Sequence, residues 1–188
     1  YVPTRCGNIF VPQKKKLEYI ALKDRALCSK FELINNIKLI ENLANADYFF
    51  LASSWKAWEV ELLRESIAFV ESKTDASIVI FGGKRIPMPI FEDLIGSTIE
   101  ERKTMLFDLK GIYPFNLLKQ VSEGSEHTFI DVQAMVCGKE KDKCKIFTED
   151  GYLKSYDGHH LTKYGVLALS EDLRKQLFKI LNLYKDLD

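Results

Sequence analysis

An aspartate and a histidine three positions apart form the most specific chemical pattern in this sequence. Asp157 and His160 lie in the segment YDGHHLT at residues 156–162. A carboxylate placed against an imidazole fixes its tautomer and stabilises the imidazolium that forms when the histidine takes a proton from a serine. The spacing therefore indicates the acid and base of a nucleophilic catalyst. The alternative is a turn at Asp157 and Gly158 that leaves both histidines exposed to solvent.

The element after this pair is predicted to hold it in place. Apolar residues recur at helical spacing over 161–183, and Thr162 is a good N-cap residue for such a helix. The pair would then lie on the edge of a rigid element. In an extended turn the side chains of neighbouring residues point in opposite directions, so His159 would face away from His160. We therefore assign His159 no catalytic role.

The cysteines form two couples that are local in the sequence, Cys6 with Cys28 and Cys137 with Cys144. Two disulfides are the simplest interpretation, and disulfides persist in oxidising compartments. Four reduced thiols in a cytosolic protein are the alternative. A mixed cysteine and histidine metal site is disfavoured, because the histidines do not flank the cysteines at ligand spacing.

Composition and charge exclude several function classes. Lys plus Arg equals Asp plus Glu at 27 each, so no overall field attracts nucleic acid or an anionic membrane. The apolar runs near residues 48–52 and 78–81 are far shorter than the roughly 20 residues of a membrane-spanning helix. The sequence begins with Tyr1 and has no signal-like leader, so we expect it to be a fragment.

The first half of the chain alternates helical and strand patterns. Residues 1–16 have no sustained period and are predicted to form an exposed loop, with a solvated lysine triplet at 14–16. Helices are predicted over 22–42 and 58–72, and strands over 47–52 and 77–81. This order is typical of parallel strands joined by right-handed crossovers.

The second half has weaker patterns. We expect helices over 99–109 and 115–121, and a third strand over 127–132 that ends at Asp131, which we interpret as structural. The whole chain, residues 1–188, is predicted to be one α/β domain with a parallel sheet between two layers of helices.

The order of these features resembles that of SGNH (GDSL-type) hydrolases. The closest likeness is to the SGNH domains fused to acyltransferase-3 membrane proteins that O-acetylate bacterial surface polysaccharides. The matching features, in chain order, are Cys6 and Cys28, FLASSW at 50–55, FGG at 81–83 with Pro87, FIDV at 129–132, Cys137 and Cys144, and DGHHLT at 157–162. The likeness spans nearly the whole chain.

This resemblance implies a fold, a function and partners. The fold would be the three-layer, flavodoxin-like SGNH fold without its first strand and nucleophile elbow. The function would be acetyl transfer to a surface polysaccharide or lipopolysaccharide glycan through a serine acyl-enzyme, without a metal or another cofactor. The partner domain would be a membrane acyltransferase in the same chain, which places this domain in the periplasm or outside the cell, tethered to the inner membrane.

Two departures from the family concern the nucleophile and the oxyanion hole. The sequence has no Gly-Asp-Ser motif, so we expect the nucleophile upstream of Tyr1. Candidates inside the chain are poor substitutes because they lack the elbow after a first strand; they are Ser53, Ser54, Ser97 and Ser125. At the position of the family's oxyanion asparagine this chain has Ser53-Ser54-Trp55. A Ser53 hydroxyl or a backbone donor would have to replace that asparagine.

The remaining expectations concern the substrate and the alternatives to catalysis. Trp55 and Trp58 are predicted either to stack on a sugar or to pack in the core. The alternative functions are a catalytically silent module that binds a glycan or a partner, a carbohydrate esterase, and an unrelated cytosolic α/β domain.

Overall fold

The computed structural model describes residues 2–109, 118–122, 126–138, 140 and 142–181, without the side chains of Phe91 and Asp93. The fold is mixed α/β. After a 3-10 turn at Thr4–Cys6, the elements in chain order are α1 (Gln13–Tyr19), α2 (Leu22–Cys28), α3 (Ile37–Ala44), β1 (Tyr48–Leu51), α4 (Ala57–Glu61), α5 (Leu63–Glu71), β2 (Ser77–Phe81), α6 (Phe91–Leu94), α7 (Ile99–Thr104), β3 (Phe107–Asp108), β4 (Thr128–Ile130), α8 (Val132–Cys137), β5 (Lys143–Cys144) and α9 (Lys163–Ile180). Residues 118–122 are also helical.

The described residues form two compact units. The first contains those from 2 to 83 and from 118 to 129, and the second contains those from 84 to 109 and from 130 to 181. Each unit has its own disulfide and its own apolar cluster. The assignment of the whole chain to one SGNH-like domain stays a prediction.

The main sheet is three-stranded and parallel, in the order β1-β2-β4. β1 pairs with β2 from Tyr48 opposite Ser77 to Leu51 opposite Ile80. Ile78, Val79 and Ile80 are all buried, as expected for the continuous apolar run of a covered parallel strand. The strands predicted at 47–52, 77–81 and 127–132 are therefore confirmed. β2 has the predicted bounds, and β1 and β4 are shorter than their patterns.

The amino-terminal segment is part of the core, so the prediction of an exposed loop over residues 1–16 is wrong. Ile9, Phe10 and Val11 are buried, and the Phe10 amide donates a 2.8 Å hydrogen bond to Ser66 Oγ on α5. This apolar triplet is too short to show a period, but it packs against the helices that cover β1 and β2.

The lysine triplet at 14–16 is not uniformly solvated as predicted. Lys16 is only 1% exposed, and its Nζ donates a 2.7 Å hydrogen bond to the Phe31 carbonyl. Burial lowers the pKa of the Lys16 ammonium, because the charged form loses hydration. Lys15 forms an ion pair with Glu65, and Lys14 is exposed.

The helix predicted over 22–42 is two helices separated by residues 29–36. α2 ends at Cys28, and α3 begins after Asn36, whose Oδ1 accepts a 3.0 Å hydrogen bond from the Leu39 amide. Phe31 and Ile34 still pack against apolar clusters from the intervening segment, so their burial does not require a continuous helix.

The other predicted helices also differ in length. The helix predicted over 58–72 is divided at Leu62 into α4 and α5. The helix predicted over 99–109 ends at Thr104, because residues 107–108 pair as β3 with β5 in an antiparallel ladder. Of the helix predicted over 115–121, residues 115–117 lie outside the described residues.

The second unit is built around α8, α9 and the β3–β5 ladder. Its core contains Ile86, Val136, Ile146 and Phe147, with Leu169 of α9 packed against them. Asp131 is structural, as predicted, because its Oδ1 accepts a 2.9 Å hydrogen bond from the Ala134 amide and so caps α8. In the part of the chain that the structure describes, no helix is both long and apolar enough to cross a membrane.

Both predicted disulfides are present. Cys6 joins Cys28 with Cα atoms 5.1 Å apart, and Cys137 joins Cys144 with Cα atoms 4.1 Å apart. All four cysteines of the sequence are thus paired. Disulfides of this kind are typical of domains that fold in oxidising compartments.

We expect the two disulfides to contribute unequally to stability. Their sequence separations are 22 and 7 residues. Loop-closure entropy predicts that replacing both Cys6 and Cys28 by Ser lowers the free energy of unfolding by about 3 kcal/mol, against about 2 kcal/mol for Cys137 and Cys144. Urea unfolding of oxidised protein measures both values. Equal stability of the Cys6→Ser/Cys28→Ser variant and the wild type would contradict the prediction.

Candidate acid/base site

The site begins as a tight turn closed by the Asp157 carboxylate. Oδ1 of Asp157 accepts hydrogen bonds from the amides of His159 at 2.9 Å and His160 at 2.7 Å. An aspartate that bonds to the amides two and three residues later is typical of an Asx turn. Gly158 has φ +75°, which a glycine adopts without steric cost. The sequence therefore forms this turn from local interactions.

The same carboxylate holds the imidazole. Oδ2 of Asp157 lies 2.6 Å from Nδ1 of His160, so the predicted contact between the two side chains is confirmed. The His160 side chain is 88% exposed and that of Asp157 is 51% exposed. The turn named above as the alternative is also present, but within it His160 is bonded rather than free. No described residue hydrogen-bonds Nε2 of His160.

The electrostatics of the turn favour an ionised carboxylate. The pKa of Asp157 lies well below its usual range, chiefly because of the hydrogen bond from the His160 side chain and then the backbone amides of His160 and His159. An ionised carboxylate only accepts hydrogen bonds, so Nδ1 must carry the proton in the contact. Nε2 of a neutral His160 is then the nitrogen with the free lone pair, which a general base requires.

Ser155 stabilises the turn through hydrogen bonds of its side chain. It is buried, its Oγ donates a 2.6 Å hydrogen bond to the His160 carbonyl, and it accepts a 3.0 Å hydrogen bond from the Gly158 amide. Its Oγ also lies 3.4 Å from Oδ1 of Asp157. These three contacts are with groups of the turn, so this serine positions the turn. The sequence analysis did not identify Ser155.

A neighbouring segment, residues 84–86, fixes the other side of the turn. The Ile86 amide donates a 3.2 Å hydrogen bond to the Gly158 carbonyl, and Nζ of Lys84 donates to the His159 carbonyl. Burial lowers the pKa of Lys84, and the negative charge of Asp157 opposes this effect. Two backbone carbonyls of the turn therefore have partners on one short segment.

Helix α8 holds residues 84–86 in place. The side-chain amide of Gln133 accepts from the Arg85 amide at 2.6 Å and donates to the Arg85 carbonyl at 2.9 Å. The two bonds satisfy both backbone groups of one residue, as a neighbouring strand would. Gln133 and Arg85 are 48 residues apart in the sequence, and no local pattern predicts their contact.

The final helix starts beside the pair as predicted. Oγ1 of Thr162 accepts a 3.0 Å hydrogen bond from the Gly165 amide, which confirms Thr162 as the N-cap of α9. Gly165 lies against the Lys154 carbonyl so closely that a Cβ atom there would overlap it. The close approach keeps the start of α9 near the strand-like segment that leads into the turn.

Ser53 and Trp55 belong to the first unit. Trp55 is only 6% exposed, and its Nε1 donates a 2.7 Å hydrogen bond to the Phe81 carbonyl. This placement is that of the core alternative, and a role in substrate binding stays a prediction. Trp58 stacks on Tyr19 with ring centroids 5.5 Å apart.

The Ser53 hydroxyl bonds to a buried carboxylate. Its Oγ lies 3.3 Å from Oε1 of Glu59, which also accepts from the Asn8 amide at 3.1 Å, while Oε2 accepts from the Lys56 amide at 2.9 Å. Glu59 is fully buried, and these donors balance the lost hydration. No sequence pattern indicated Glu59, whose contacts link the amino-terminal segment to the residues that follow β1.

The other serine candidates are Ser54, Ser97 and Ser125. Ser54 is exposed, and Ser97 donates to the Leu94 carbonyl and accepts from Arg102. Ser125 lies outside the described residues. Within the described ranges, no cluster of three or more His, Cys, Asp or Glu side chains is placed to hold a metal ion.

No family model, curated protein or solved structure matches this chain. The function is therefore inferred from the geometry of the turn and from the order of motifs in the sequence.

The charge state of Asp157 can be tested by carboxyl NMR. We expect the Asp157 carboxylate to remain ionised at pH 3, below the ordinary aspartate pKa of about 3.9. In His160→Ala its pKa should rise, because the strongest hydrogen bond is lost, yet stay below the ordinary value through the two backbone amides. His159→Ala is the matched control and should leave the titration unchanged.

The sign of the pH dependence follows from the lowered pKa. An aspartate with a lowered native pKa stabilises the fold above its unfolded pKa and loses this contribution as the pH falls through the native value. Asp157→Asn should therefore flatten the acid limb of a stability curve below about pH 4. Identical acid limbs for Asp157→Asn and the wild type would contradict the role of this carboxylate.

Gly158 should tolerate no side chain. A Cβ atom at Gly158 would lie 2.7 Å from the Ile86 carbonyl oxygen, in addition to the strain of φ +75°. Gly96 is the matched control, since it has φ +77° and nothing within 4 Å of its Cβ position. We expect Gly96→Ala to cost about 1 kcal/mol of unfolding free energy and Gly158→Ala roughly 2–3 kcal/mol. Equal losses in thermal unfolding would contradict the proposed overlap.

Proposed function

We propose that this chain is the greater part of an extracytoplasmic acyl-transfer domain of the SGNH class, with the three-layer fold of that class. The domain O-acetylates a bacterial surface polysaccharide or lipopolysaccharide glycan through a serine acyl-enzyme. The observation that carries the proposal is the 2.6 Å contact between Oδ2 of Asp157 and Nδ1 of His160, with the rest of the imidazole open to solvent. The order of the motifs along the chain supports the same class.

The proposed mechanism has two steps with the same base. In the first, Nε2 of His160 takes the proton of a serine hydroxyl as the serine attacks the acyl donor, and it gives that proton to the donor's leaving group as the acyl-enzyme forms. In the second, Nε2 takes the proton of a glycan hydroxyl as that oxygen attacks the acyl-enzyme, and it returns the proton to the serine oxygen as the ester bond to serine breaks. Asp157 orients the imidazole and stabilises its charged form in both steps. The serine belongs to a Gly-Asp-Ser motif upstream of Tyr1.

The exposure of His160 is relevant to the nature of the acceptor. A base whose Nε2 is open to solvent can be approached by a bulky glycan hydroxyl, and equally by water. Attack by water would make the domain a carbohydrate esterase, which shares the acyl-enzyme. The resemblance to domains fused to membrane acyltransferases favours transfer, with the membrane domain as the partner in the same chain.

The two disulfides support the proposed location. Both join cysteines that are close in the sequence, and disulfides persist in the periplasm or outside the cell because these compartments are oxidising. We propose that the complete protein is tethered to the inner membrane, so that the acyl group reaches this domain from the membrane acyltransferase.

A second candidate is a catalytically silent module that binds a glycan or a partner. The presence of Ser53-Ser54-Trp55 where the family has its oxyanion asparagine favours it. The Asp157–His160 contact opposes it, because a binding module has no need of an oriented imidazole. The two candidates differ in what the loss of the His160 imidazole would do.

The decisive experiment uses the complete protein and measures acetyl transfer to glycan and acetyl release. We expect His160→Ala to lower both rates by at least a thousandfold, since the serine loses its base, and Asp157→Asn to lower them somewhat less. His159→Ala should retain activity close to the wild type, because its side chain is outside the contact. The isolated 188-residue chain should turn over no ester.

Two outcomes would reject the proposal. Activity of His160→Ala comparable to the wild type would show that the imidazole is not the base. An inactive wild type that binds glycan, with equal affinity in His160→Ala, would instead establish the silent module.

A further inference from the structure

A groove of about 490 Å³ lies beside the turn that carries the acid/base pair. All of its lining residues belong to the second unit. Pockets that enclose small organic ligands have about 300–1,000 Å³, so the groove has room for a sugar ring. Its lining combines apolar side chains with charged ones, among them Arg85, Ile86, Met88, Phe107, Asp108 and Asp157.

The two carboxylates of the lining have nearby cations. Oδ1 of Asp108 lies 2.6 Å from Nζ of Lys143. Nζ of Lys84 donates to the His159 carbonyl, within the turn that Asp157 closes. Burial lowers the pKa of Lys84 and the negative charge of Asp157 opposes this effect, because the ammonium and the carboxylate attract each other. The negative charge of the groove is thus balanced before a ligand binds.

Arg85 is the permanent cation of the lining, and it lacks such a partner. It is exposed, and in the part of the chain that the structure describes its guanidinium contacts no carboxylate. Arginine remains charged throughout the ordinary pH range. The groove therefore has one positive charge in excess, which a ligand with a single negative charge would neutralise.

Contacts on two sides fix the backbone at Arg85. The side-chain amide of Gln133 accepts from the Arg85 amide at 2.6 Å and donates to the Arg85 carbonyl at 2.9 Å. The next amide, that of Ile86, donates to the Gly158 carbonyl at 3.2 Å. The arginine side chain therefore starts from a fixed point beside the turn, and a ligand bound to it is held near the residues that carry the imidazole.

A sugar carboxylate matches this groove better than a phosphate does. The planar guanidinium donates two parallel hydrogen bonds to a carboxylate. A phosphate monoester brings up to about two negative charges, and Asp108 and Asp157 in the same lining would repel the second. The C–H faces of a sugar ring can pack on Met88 and Phe107, which removes apolar surface from water.

We infer that this groove binds an acidic sugar of the glycan acceptor, with the sugar carboxylate on the Arg85 guanidinium and the ring along Met88 and Phe107. The inference rests on the proposed function in taking a glycan as the acceptor. It deepens that function, because it makes a uronic acid, rather than a neutral sugar, the unit of the glycan that the domain recognises.

The test uses this 188-residue chain, because binding of the acceptor requires no nucleophile. The probes are methyl β-D-glucuronide, its neutral counterpart methyl β-D-glucoside, and glucose 6-phosphate. Titrations are followed in ¹H–¹⁵N spectra at low salt and about pH 8, where histidine side chains in general are mostly neutral and the guanidinium is the cation under test.

We expect the amide signals of Arg85, Ile86 and Gly158 to shift with methyl β-D-glucuronide, while signals from the first unit stay in place. The dissociation constant of the glucuronide should be roughly fivefold or more below that of the glucoside, and about 0.5 M NaCl should remove most of this preference. Equal affinity for the two sugars, tighter binding of glucose 6-phosphate, or shifts confined to other residues would overturn the inference.

Variants of the arginine test the assignment. Arg85→Gln should reduce the preference for the glucuronide to less than about twofold, and Arg85→Lys should retain part of it, because the charge remains without the planar fork. Both contacts of Gln133 are with the backbone of residue 85, so these substitutions leave them in place.

Arg64→Gln is the matched control, since Arg64 is also exposed but lies on α5 in the first unit. It removes the same charge from the protein and should retain the full preference for the glucuronide. Equal effects of Arg85→Gln and Arg64→Gln would show that the preference comes from overall charge and would overturn the assignment.

The outcomes separate this inference from the proposed function. Charge-dependent binding at Arg85, together with an active His160→Ala complete protein, would retain the groove and reject the base. Loss of activity in His160→Ala, with equal binding of the glucuronide and the glucoside, would retain the base and reject the groove.

Discussion

The Asp157 carboxylate is the group on which the candidate site depends. One oxygen closes the turn by accepting two amides, and the other holds Nδ1 of His160. The turn and the imidazole orientation are therefore formed by a single group rather than by separate parts of the fold. Because one carboxylate makes both sets of contacts, the geometry of the pair is set mainly within residues 157–160. The contact can therefore form although both side chains are substantially exposed.

The local turn gains rigidity from two layers of support. Ser155 bonds to the backbone on its inner side, and Lys84 and Ile86 bond to it from the neighbouring segment. Gln133 of α8 fixes that segment by satisfying both backbone groups of Arg85. Catalytic geometry requires this kind of support, because an exposed side chain without it samples many rotamers.

Features with a local signal could be predicted from the sequence. The strands at β1 and β2 have short apolar runs, Thr162 has the spacing of a helix cap, and the Asp157–His160 contact needs only three residues of chain. The disulfides joined cysteines that are near one another in the sequence. In each case the interacting groups are close along the chain, so a pattern can indicate them.

Features that depend on distant contacts could not be predicted. Lys16 is buried because the Phe31 carbonyl receives its ammonium, and the helix predicted over 22–42 is interrupted where those two segments meet. No sequence pattern distinguishes Gln133 from an exposed glutamine, because its contact with Arg85 depends on the folded chain. Trp55 was ambiguous because an aromatic ring suits a core and a sugar equally well, and the Phe81 carbonyl that receives its indole is 26 residues away.

The pairing of the cysteines has a consequence for how the protein acquires its disulfides. Each bond closes a short loop within one compact unit, and short loops close at little entropic cost. A chain that emerges amino end first presents Cys6 and Cys28 to an oxidant long before Cys137 is available. Among the four cysteines of this sequence, the native partner is then the only unpaired one within reach at each stage, which favours the native pairing over exchange between wrong partners.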